Sequence, residues 1–278
     1  MDDTKTAMLT VPGATLYYEV RGAGPTVLLI CGGIYDAAAL AGLAGLLAER
    51  YTVITYDRRG NSRSPLDGAP EPFPVDVHAD DAHRLLTAVG GTEPAFVFGN
   101  SAGGLIGLAL AARHPEQVGA VVSHEPPVLS LLPDAARWAQ VLEQVHATYV
   151  SDGVEAAMGQ FGAAMGMADG GGQPPMDQLP PEVAEMLGRF ARNTEVFVGY
   201  EIIPFGAFTP DVAALRAGSP RVVLAAGADS AGEPPHLAAL AVAERLGTEA
   251  VLFPGDHGGF GTHTDGFATE LQKIFSAS

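Results

Sequence analysis

Short apolar runs rich in β-branched residues alternate with alanine- and leucine-rich stretches along most of this chain, and this alternation is the feature that most constrains its fold. The predicted strands are residues 15–20, 26–30, 51–57, 95–99, 119–125, 220–227 and 249–255. The predicted helices are residues 36–50, 75–89, 102–114, 235–247 and 265–275. Strands that alternate with helices are typical of a mostly parallel sheet covered on both faces, so the sequence predicts an α/β fold.

The alternation stops between residues 126 and 208, where the sequence instead predicts amphipathic helices. The segment DGGGQPP (169–175) separates two of these helices. A length of 278 residues suits one large α/β domain. The sequence therefore predicts a core formed by residues 1–125 and 209–278, with residues 126–208 inserted as a helical cap or lid over the carboxyl ends of the strands.

The charge and hydropathy of the chain limit the kinds of molecule that it is expected to bind. The net charge is −17, from 32 acidic against 15 basic residues, and a surface of that sign repels nucleic acid and anionic lipid. No stretch approaches the roughly 18 uninterrupted apolar residues of a membrane span. The start, MDDTKTAML, is polar and unlike a signal peptide. We expect a cytoplasmic protein with a small-molecule partner. The sequence leaves open whether the protein forms a homodimer.

Cys31 is the single cysteine of the chain, so the sequence excludes intrachain disulfides and zinc sites made of thiolates.

The segment FVFGNSAGG (96–104) places Ser101 between glycines, directly after an apolar strand and directly before a helix. Glycine makes up 35 of the 278 residues, so the G-x-S-x-G pentapeptide alone is weak evidence. Its context leaves no room for a relaxed loop, so the hydroxyl is pushed out above the sheet edge, next to a helix N-terminus. A dinucleotide-binding loop is the alternative, but such a loop follows the first strand of a βαβ unit. The sequence therefore predicts that Ser101 is a nucleophile.

Three further segments follow the order of a known family. They are LLICGG (28–33), YDRRGNSRS (56–64) and FPGDHGGF (253–260). With GNSAGG they make nearly the whole chain resemble the α/β-hydrolases, in particular the lidded esterase, lactonase and haloperoxidase-like group. The resemblance implies an eight-stranded, mostly parallel sheet with a helical lid, and hydrolysis that needs neither a cofactor nor a metal.

A serine hydroxyl needs a base within hydrogen-bond reach. His257 follows the last predicted strand within PGDHGG, at the sheet edge where Ser101 also lies, and the resemblance places the family's histidine there. His263, six residues later, is the alternative if the loop runs long.

The histidine in turn needs a carboxylate, and here the sequence departs from the family pattern. The family's acid usually stands three residues after the glycine that ends the penultimate strand, but that position is Ser230. Asp229 lies one place early. Glu125 is the preferred candidate, because it ends the strand after the nucleophile helix. Lactone hydrolases that open zearalenone carry a glutamate in a similar His-Glu-x-Pro segment.

Backbone N–H groups are expected to stabilise the oxyanion. The N–H of Ala102 is one predicted donor, and that of Gly33, in the CGG segment that replaces the family's His-Gly, is the other. Cys31 is interpreted as a small buried residue. The similarity to the family also gives Asp57 and Arg58 a structural role at a strand end.

Two further patterns carry weaker interpretations. The segment DVHADDAH (76–83) brings Asp76, Asp80 and His83 to one helix face, which we interpret as a solvated charged face rather than a metal site. Large apolar residues in the insertion would give an apolar lid, either as its packing or as its lining. They are Trp138, Met158, Phe161, Met165, Met167 and Phe205.

The sequence thus predicts a serine hydrolase that cleaves an ester or lactone with a hydrophobic body through an acyl-enzyme. Three alternatives stay open. Cofactor-free C–C bond hydrolysis and haloperoxidase chemistry could use the same triad, and a receptor could keep the fold without turnover.

Overall fold

The computed structural model describes residues 4–166 and 179–277, and in these ranges its strands form one eight-stranded sheet. The strands are β1 (Lys5–Val11), β2 (Ala14–Arg21), β3 (Thr26–Ile30), β4 (Thr52–Tyr56), β5 (Ala95–Asn100), β6 (Val118–His124), β7 (Arg221–Gly227) and β8 (Val251–Phe253). Their order in the sheet is β1-β2-β4-β3-β5-β6-β7-β8. The pairs from β4 to β8 along this order are all parallel, whereas β1 pairs antiparallel with β2 and β2 pairs antiparallel with β4. The predicted eight-stranded, mostly parallel sheet is confirmed.

The sequence predicts no element at β1, which forms the antiparallel edge of the sheet. Its side chains from Lys5 to Leu9 are mostly exposed, so the strand lacks the apolar pattern by which the inner strands were located. It is held by its register with β2, from Lys5 opposite Val20 to Val11 opposite Ala14.

Eleven α-helices are described in the same ranges. They are α1 (Ala41–Leu47), α2 (Val75–Val89), α3 (Ala102–Arg113), α4 (Ala135–Asp152), α5 (Val154–Met165), α6 (Pro181–Val196), α7 (Ile202–Gly206), α8 (Val212–Ala217), α9 (Pro234–Leu246), α10 (Gly259–Thr262) and α11 (Thr264–Ser276). Helices α2, α3, α8 and α9 contribute to the core on one face of the sheet, and α1 and α11 to the core on the other.

Strand β3 shows why both faces must be covered. All five of its residues are buried. Leu28 and Ile30 point into one core, while Val27 and Leu29 point into the other. Successive side chains of a strand point to opposite faces, so a continuous apolar run needs an apolar layer on each side.

Helices α4 to α7 lie between β6 and β7 in the chain and have an apolar cluster of their own. Trp138, Leu142, Val145, Phe197 and Ile202 are among its buried members. A π-helical turn, Phe197–Glu201, joins α6 to α7. The division into a core and a cap at residues 126–208 stays a prediction, and Met167 and the segment 169–175 lie outside the described residues. Within the described ranges, the helices are too short or too polar to cross a membrane.

Candidate active site

Ser101 stands on a strained turn between β5 and α3. Its backbone has φ 56° and ψ −124°, a conformation that a residue with a side chain rarely adopts. The flanking glycines let the strand and the helix approach closely. A Cβ at Gly99 would lie 2.1 Å from the carbonyl oxygen of Gly103, and one at Gly103 would lie 2.1 Å from that of Ile30. The turn therefore has the geometry of a nucleophile elbow.

Glu125 follows directly after β6, the neighbour of β5 in the sheet, and also has a positive φ, of 46°. Its side chain is fully buried and accepts a hydrogen bond from His257 through Nδ1···Oε2, at 2.7 Å. The strained backbone turns the carboxylate toward the loop after β8, where His257 lies. Because β5, β6, β7 and β8 run parallel, their carboxyl ends bring these residues to one edge.

The other oxygen of Glu125 is held by the loop after β7. Oε1 accepts from the backbone N–H of Gly227 at 2.8 Å and from the hydroxyl of Ser230. Burial alone would raise the pKa of Glu125, but the hydrogen bonds from His257, Ser230 and Gly227 outweigh it and lower the pKa to about 2. The carboxylate is therefore ionised and fixed in orientation. Ser230, where the family usually has its acid, instead supports Glu125, a role that the sequence did not reveal.

The structure does not bring the alternative candidates together with Ser101. Asp229 is exposed, and in the described part of the chain its carboxylate makes no hydrogen bond to His257. His263 is exposed and its Nδ1 lies 3.0 Å from the hydroxyl of Thr262.

Asn100 and His124 form a second layer behind His257. The Asn100 amide donates to the backbone carbonyl of His257 and to Nδ1 of His124, both at 3.0 Å. His124 is fully buried, and burial lowers its pKa to about 3, so its ring is neutral. This layer ties the ends of β5 and β6 to the loop that carries His257.

Ser101 and His257 line the same pocket, together with Gly32, Gly33 and Asn100. Among the described residues, Ser101 Oγ and His257 Nε2 have no hydrogen-bond partner, so both are available to a ligand. The serine–base hydrogen bond of a hydrolase is often long before substrate binds.

The loop of one predicted oxyanion donor, Gly33, lies against the elbow that carries the other, since a Cβ at Gly32 would lie 2.8 Å from the backbone nitrogen of Ala102. Ala102 is the first residue of α3, so its N–H has no acceptor within the helix. Gly33 has φ 52°, and its N–H donates to no group in the described ranges. Cys31 is buried, and burial raises the pKa of its thiol to about 12, so it stays protonated.

Two cavities meet at Ser101 and His257. The main pocket, of about 700 Å³, is lined by the elbow, the loop 256–262 and the insertion residues Met158, Phe161 and Phe197. The side pocket, of about 50 Å³, is lined almost entirely by apolar groups. Met165 and Phe205 line the side pocket, whereas Trp138 packs inside the insertion and donates to Asp134.

In the polar segment 76–83, the two aspartates that the sequence places on one helix face form ion pairs with an arginine side chain of α3. Asp76 and Asp80 both pair with Arg113. His83 stacks on His114 with ring centroids 3.8 Å apart and an interplanar angle of 11°. Glu116 completes a group of ligand atoms within 4.8 Å of one another. Two parallel stacked rings cannot both aim in-plane nitrogens at one ion, and none of these residues lines the main or the side pocket.

This chain is similar to known proteins, in two of the following cases over nearly its whole length. It is 39% identical over 275 residues, 96% of this chain and 94% of the relative, to the uncharacterized hydrolase YraK of Bacillus subtilis (strain 168). A protein of Caulobacter segnis, named provisionally as the carbamate hydrolase RutD, is 43% identical over 117 residues, 41% of this chain and 43% of that relative. A thermophilic esterase from Thermogutta terrifontis superposes with a TM-score of 0.73, at 19% identity, over 98% of each chain.

The model of the alpha/beta hydrolase fold family matches residues 25–257. That range runs from β3, through the elbow and the end of β6, to the loop that carries His257. The chain therefore belongs to the α/β-hydrolase fold family, and it is a hydrolase.

Proposed function

We propose that the protein is a serine hydrolase that cleaves a carboxylic ester or lactone, with Ser101, His257 and Glu125 as its catalytic triad. The observation that carries the proposal is the 2.7 Å hydrogen bond between His257 Nδ1 and Glu125, made beside a serine in a strained elbow. This bond leaves Nε2 of His257 as the nitrogen that faces the pocket.

In the proposed mechanism, Ser101 Oγ attacks the carbonyl carbon and its proton passes to Nε2 of His257. Negative charge develops on the carbonyl oxygen, where the N–H groups of Ala102 and Gly33 stabilise it. The tetrahedral intermediate collapses, the C–O bond breaks, and His257 returns the proton to the leaving alcohol. Water, deprotonated by His257, then attacks the acyl-enzyme and releases the acid. Glu125 stays ionised and stabilises the imidazolium.

The pockets support a neutral substrate with a hydrophobic body. The side pocket is apolar, and the main pocket carries the aromatic rings of Phe161, Phe197 and Phe260. Two acids, Glu233 and Asp256, also line the main pocket. Burial, together with the charges of Glu125 and Asp256, raises the pKa of Glu233. A site of this charge repels anionic substrates.

The proposal is tested by turnover of p-nitrophenyl esters, simple and macrocyclic lactones and carbamates by the wild type and by Ser101→Ala. We expect wild-type turnover of neutral esters or lactones and a loss of at least about 1,000-fold in Ser101→Ala. Ser151→Ala is the matched control, because this exposed serine lies on α4 and bonds only to its own helix and to its neighbour Asp152. An unchanged rate in Ser101→Ala would contradict the serine mechanism.

Other outcomes separate the remaining alternatives. Preferred turnover of carbamates would move the substrate class toward the one named for the Caulobacter segnis relative. Product analysis that finds C–C cleavage, or peracid formation, would replace the ester proposal with C–C hydrolase or haloperoxidase chemistry. Binding of apolar ligands without turnover would favour a receptor.

A further inference from the structure

The loop that carries the proposed oxyanion donor Gly33 is held through three consecutive backbone carbonyls. The Gly32 carbonyl accepts from the N–H of Tyr35 at 3.2 Å. The Gly33 carbonyl accepts from Arg58 at 2.5 Å, and the Ile34 carbonyl accepts from the side-chain amide of Asn193 at 2.8 Å. The peptide planes before and after Gly33 are therefore both fixed, and with them the direction of its N–H.

Arg58 links this loop to the helical insertion. Its side chain is fully buried, and its second arm donates to Glu201 Oε1 at 2.5 Å. Glu201 is itself 3% exposed and lies in the π-helical turn between α6 and α7. A buried guanidinium needs a partner charge, so Glu201 decides where the Arg58 fork sits and hence how it holds the Gly33 carbonyl.

Asn193 and Arg189, both on α6, make the other contacts. Asn193 is 1% exposed; besides Ile34 it donates to the hydroxyl of Ser62 and accepts from the N–H of Ser62. Arg189 donates to the buried carboxylate of Asp36 at 2.6 Å, and this carboxylate caps the turn that follows the loop. The insertion thus holds the loop 31–36 directly at Ile34 and at Asp36.

The π-helical turn explains how α6 and the turn that continues it present Arg189, Asn193 and Glu201 on one face. Arg189 and Asn193 are four residues apart and share a face of α6. In a regular α-helix, with 3.6 residues per turn, the residue eight positions after Asn193 would no longer lie on that face. The wider i→i+5 turns over Phe197–Glu201 bring Glu201 back to it. Such turns frequently occur at functional sites.

We propose that Asn193 and Glu201 are positioning residues: through Ile34 and Arg58 they orient the Gly33 N–H, so that a correctly seated insertion is required for oxyanion stabilisation. This inference rests on the proposed function. It predicts that the two side chains contribute to transition-state stabilisation although neither lines the main pocket. Their loss would lower kcat while leaving ground-state binding nearly unchanged.

The experiment compares Asn193→Ala and Glu201→Gln with the wild type on a good p-nitrophenyl ester. Thr194→Ala is the matched control, because its hydroxyl bonds only to Phe190 within α6. A second readout is the Ki of a trifluoromethyl ketone matched to the ester. Ser101 Oγ adds to its carbonyl carbon and His257 takes the proton, so the adduct places an oxyanion on the two N–H groups. The Ki of the corresponding carbinol, which forms no adduct, reports ground-state binding.

We expect both variants to lose about 10- to 100-fold in kcat and in trifluoromethyl ketone affinity, since loss of a whole oxyanion donor costs about 100- to 1,000-fold. KM and the carbinol Ki should change less than about threefold, and Thr194→Ala should match the wild type. Equal losses of carbinol and ketone affinity would indicate general damage to the pocket and overturn the inference. So would folded variants whose kcat and ketone Ki stay within twofold of the wild type.

Failure of the positioning role and failure of the proposed function give different results in these experiments. If Glu201→Gln fails to fold because it leaves the Arg58 charge unpaired, Asn193→Ala, which removes no charge, decides alone. A wild type with full turnover that Ser101→Ala abolishes, beside unaffected Asn193→Ala, overturns the positioning role only. A wild type that neither hydrolyses the ester nor binds the ketone overturns the proposed function and the inference together.

Discussion

At the residue scale, the candidate site depends on where one carboxylate is anchored. Glu125 accepts three hydrogen bonds, from His257, Gly227 and Ser230, while Asp229 is exposed. A fully buried carboxylate with all these donors is more firmly oriented than one on a loop. Orientation is what a triad acid supplies, since it holds the histidine in the required tautomer.

We therefore expect Glu125→Gln to lower kcat by about 1,000- to 10,000-fold, because the amide cannot stabilise the imidazolium and favours the wrong tautomer. Asp229→Asn, a matched change from acid to amide one loop away, should stay within about twofold of the wild type. Steady-state kinetics on the best ester measures both. A large loss in Asp229→Asn, beside an active Glu125→Gln, would reverse the assignment of the acid.

Only some of the site residues could be predicted from the sequence. Ser101 and His257 were predicted because each lies in a short segment next to a strand, and Glu125 was preferred because it ends a predicted strand. What the sequence did not reveal was Ser230, because its role depends on how the loop after β7 meets the end of β6. Glu201 and Asn193 were also missed: each contacts a partner more than 130 residues away in the chain.

At the scale of elements, the elbow requires α3 to lie almost against β3 and β5. The carbonyl oxygen of Ile30 would be 2.1 Å from a Cβ at Gly103, and backbone cannot move aside as a flexible side chain can. Gly45, within α1, has no heavy atom within 4 Å of the equivalent position.

Gly103→Ala should therefore lower the free energy of unfolding by about 1–3 kcal/mol through overpacking, and should lower kcat as the elbow shifts. Gly45→Ala, the matched control in another helix, should raise it by about 0.5–1 kcal/mol, because alanine favours the helix. Urea unfolding of both variants measures the difference. Equal effects of the two substitutions would contradict the close packing at the elbow.

The elements themselves were predictable in proportion to their burial. Fully apolar strands such as β3 and the glycine-flanked start of α3 lie where the sequence predicts them. The exposed edge strand β1 was missed, because pairing with β2 rather than an apolar pattern holds it. The π-helical turn was missed as well, since its residues carry an ordinary helical pattern.

At the scale of the whole molecule, the parallel strands gather several buried titratable groups at one edge of the sheet, which makes the stability of the fold depend on pH. Burial lowers the pKa of His124 to about 3, below the 6.5 of an exposed histidine. Between these values the unfolded chain binds the proton and the folded chain does not, so stability falls as the pH falls from about 6.5 to about 3.

Glu125 acts in the same direction over a lower range. Its folded pKa of about 2 lies below the 4.5 of a free carboxyl, so its contribution is present above about 4.5 and is lost as the pH falls toward 2. His78, whose pKa is also lowered, chiefly by burial, adds a loss of the same sign. We therefore expect the free energy of unfolding to decrease steadily on acidification from pH 7, well before the carboxylates titrate.

The contribution of His124 can be isolated by His124→Asn, which offers an oxygen to Asn100 in place of Nδ1 and does not titrate. Urea unfolding at pH 7, 6, 5 and 4 should show a slope smaller than that of the wild type by up to about 1.4 kcal/mol per pH unit, the value for one proton. If His124→Asn keeps the wild-type slope, His124 takes up its proton over the same pH range in the folded and the unfolded chain. Below that range a charged His124 would oppose the imidazolium that forms on His257 during catalysis, and its Nδ1 could no longer accept from Asn100, the residue that holds the His257 carbonyl.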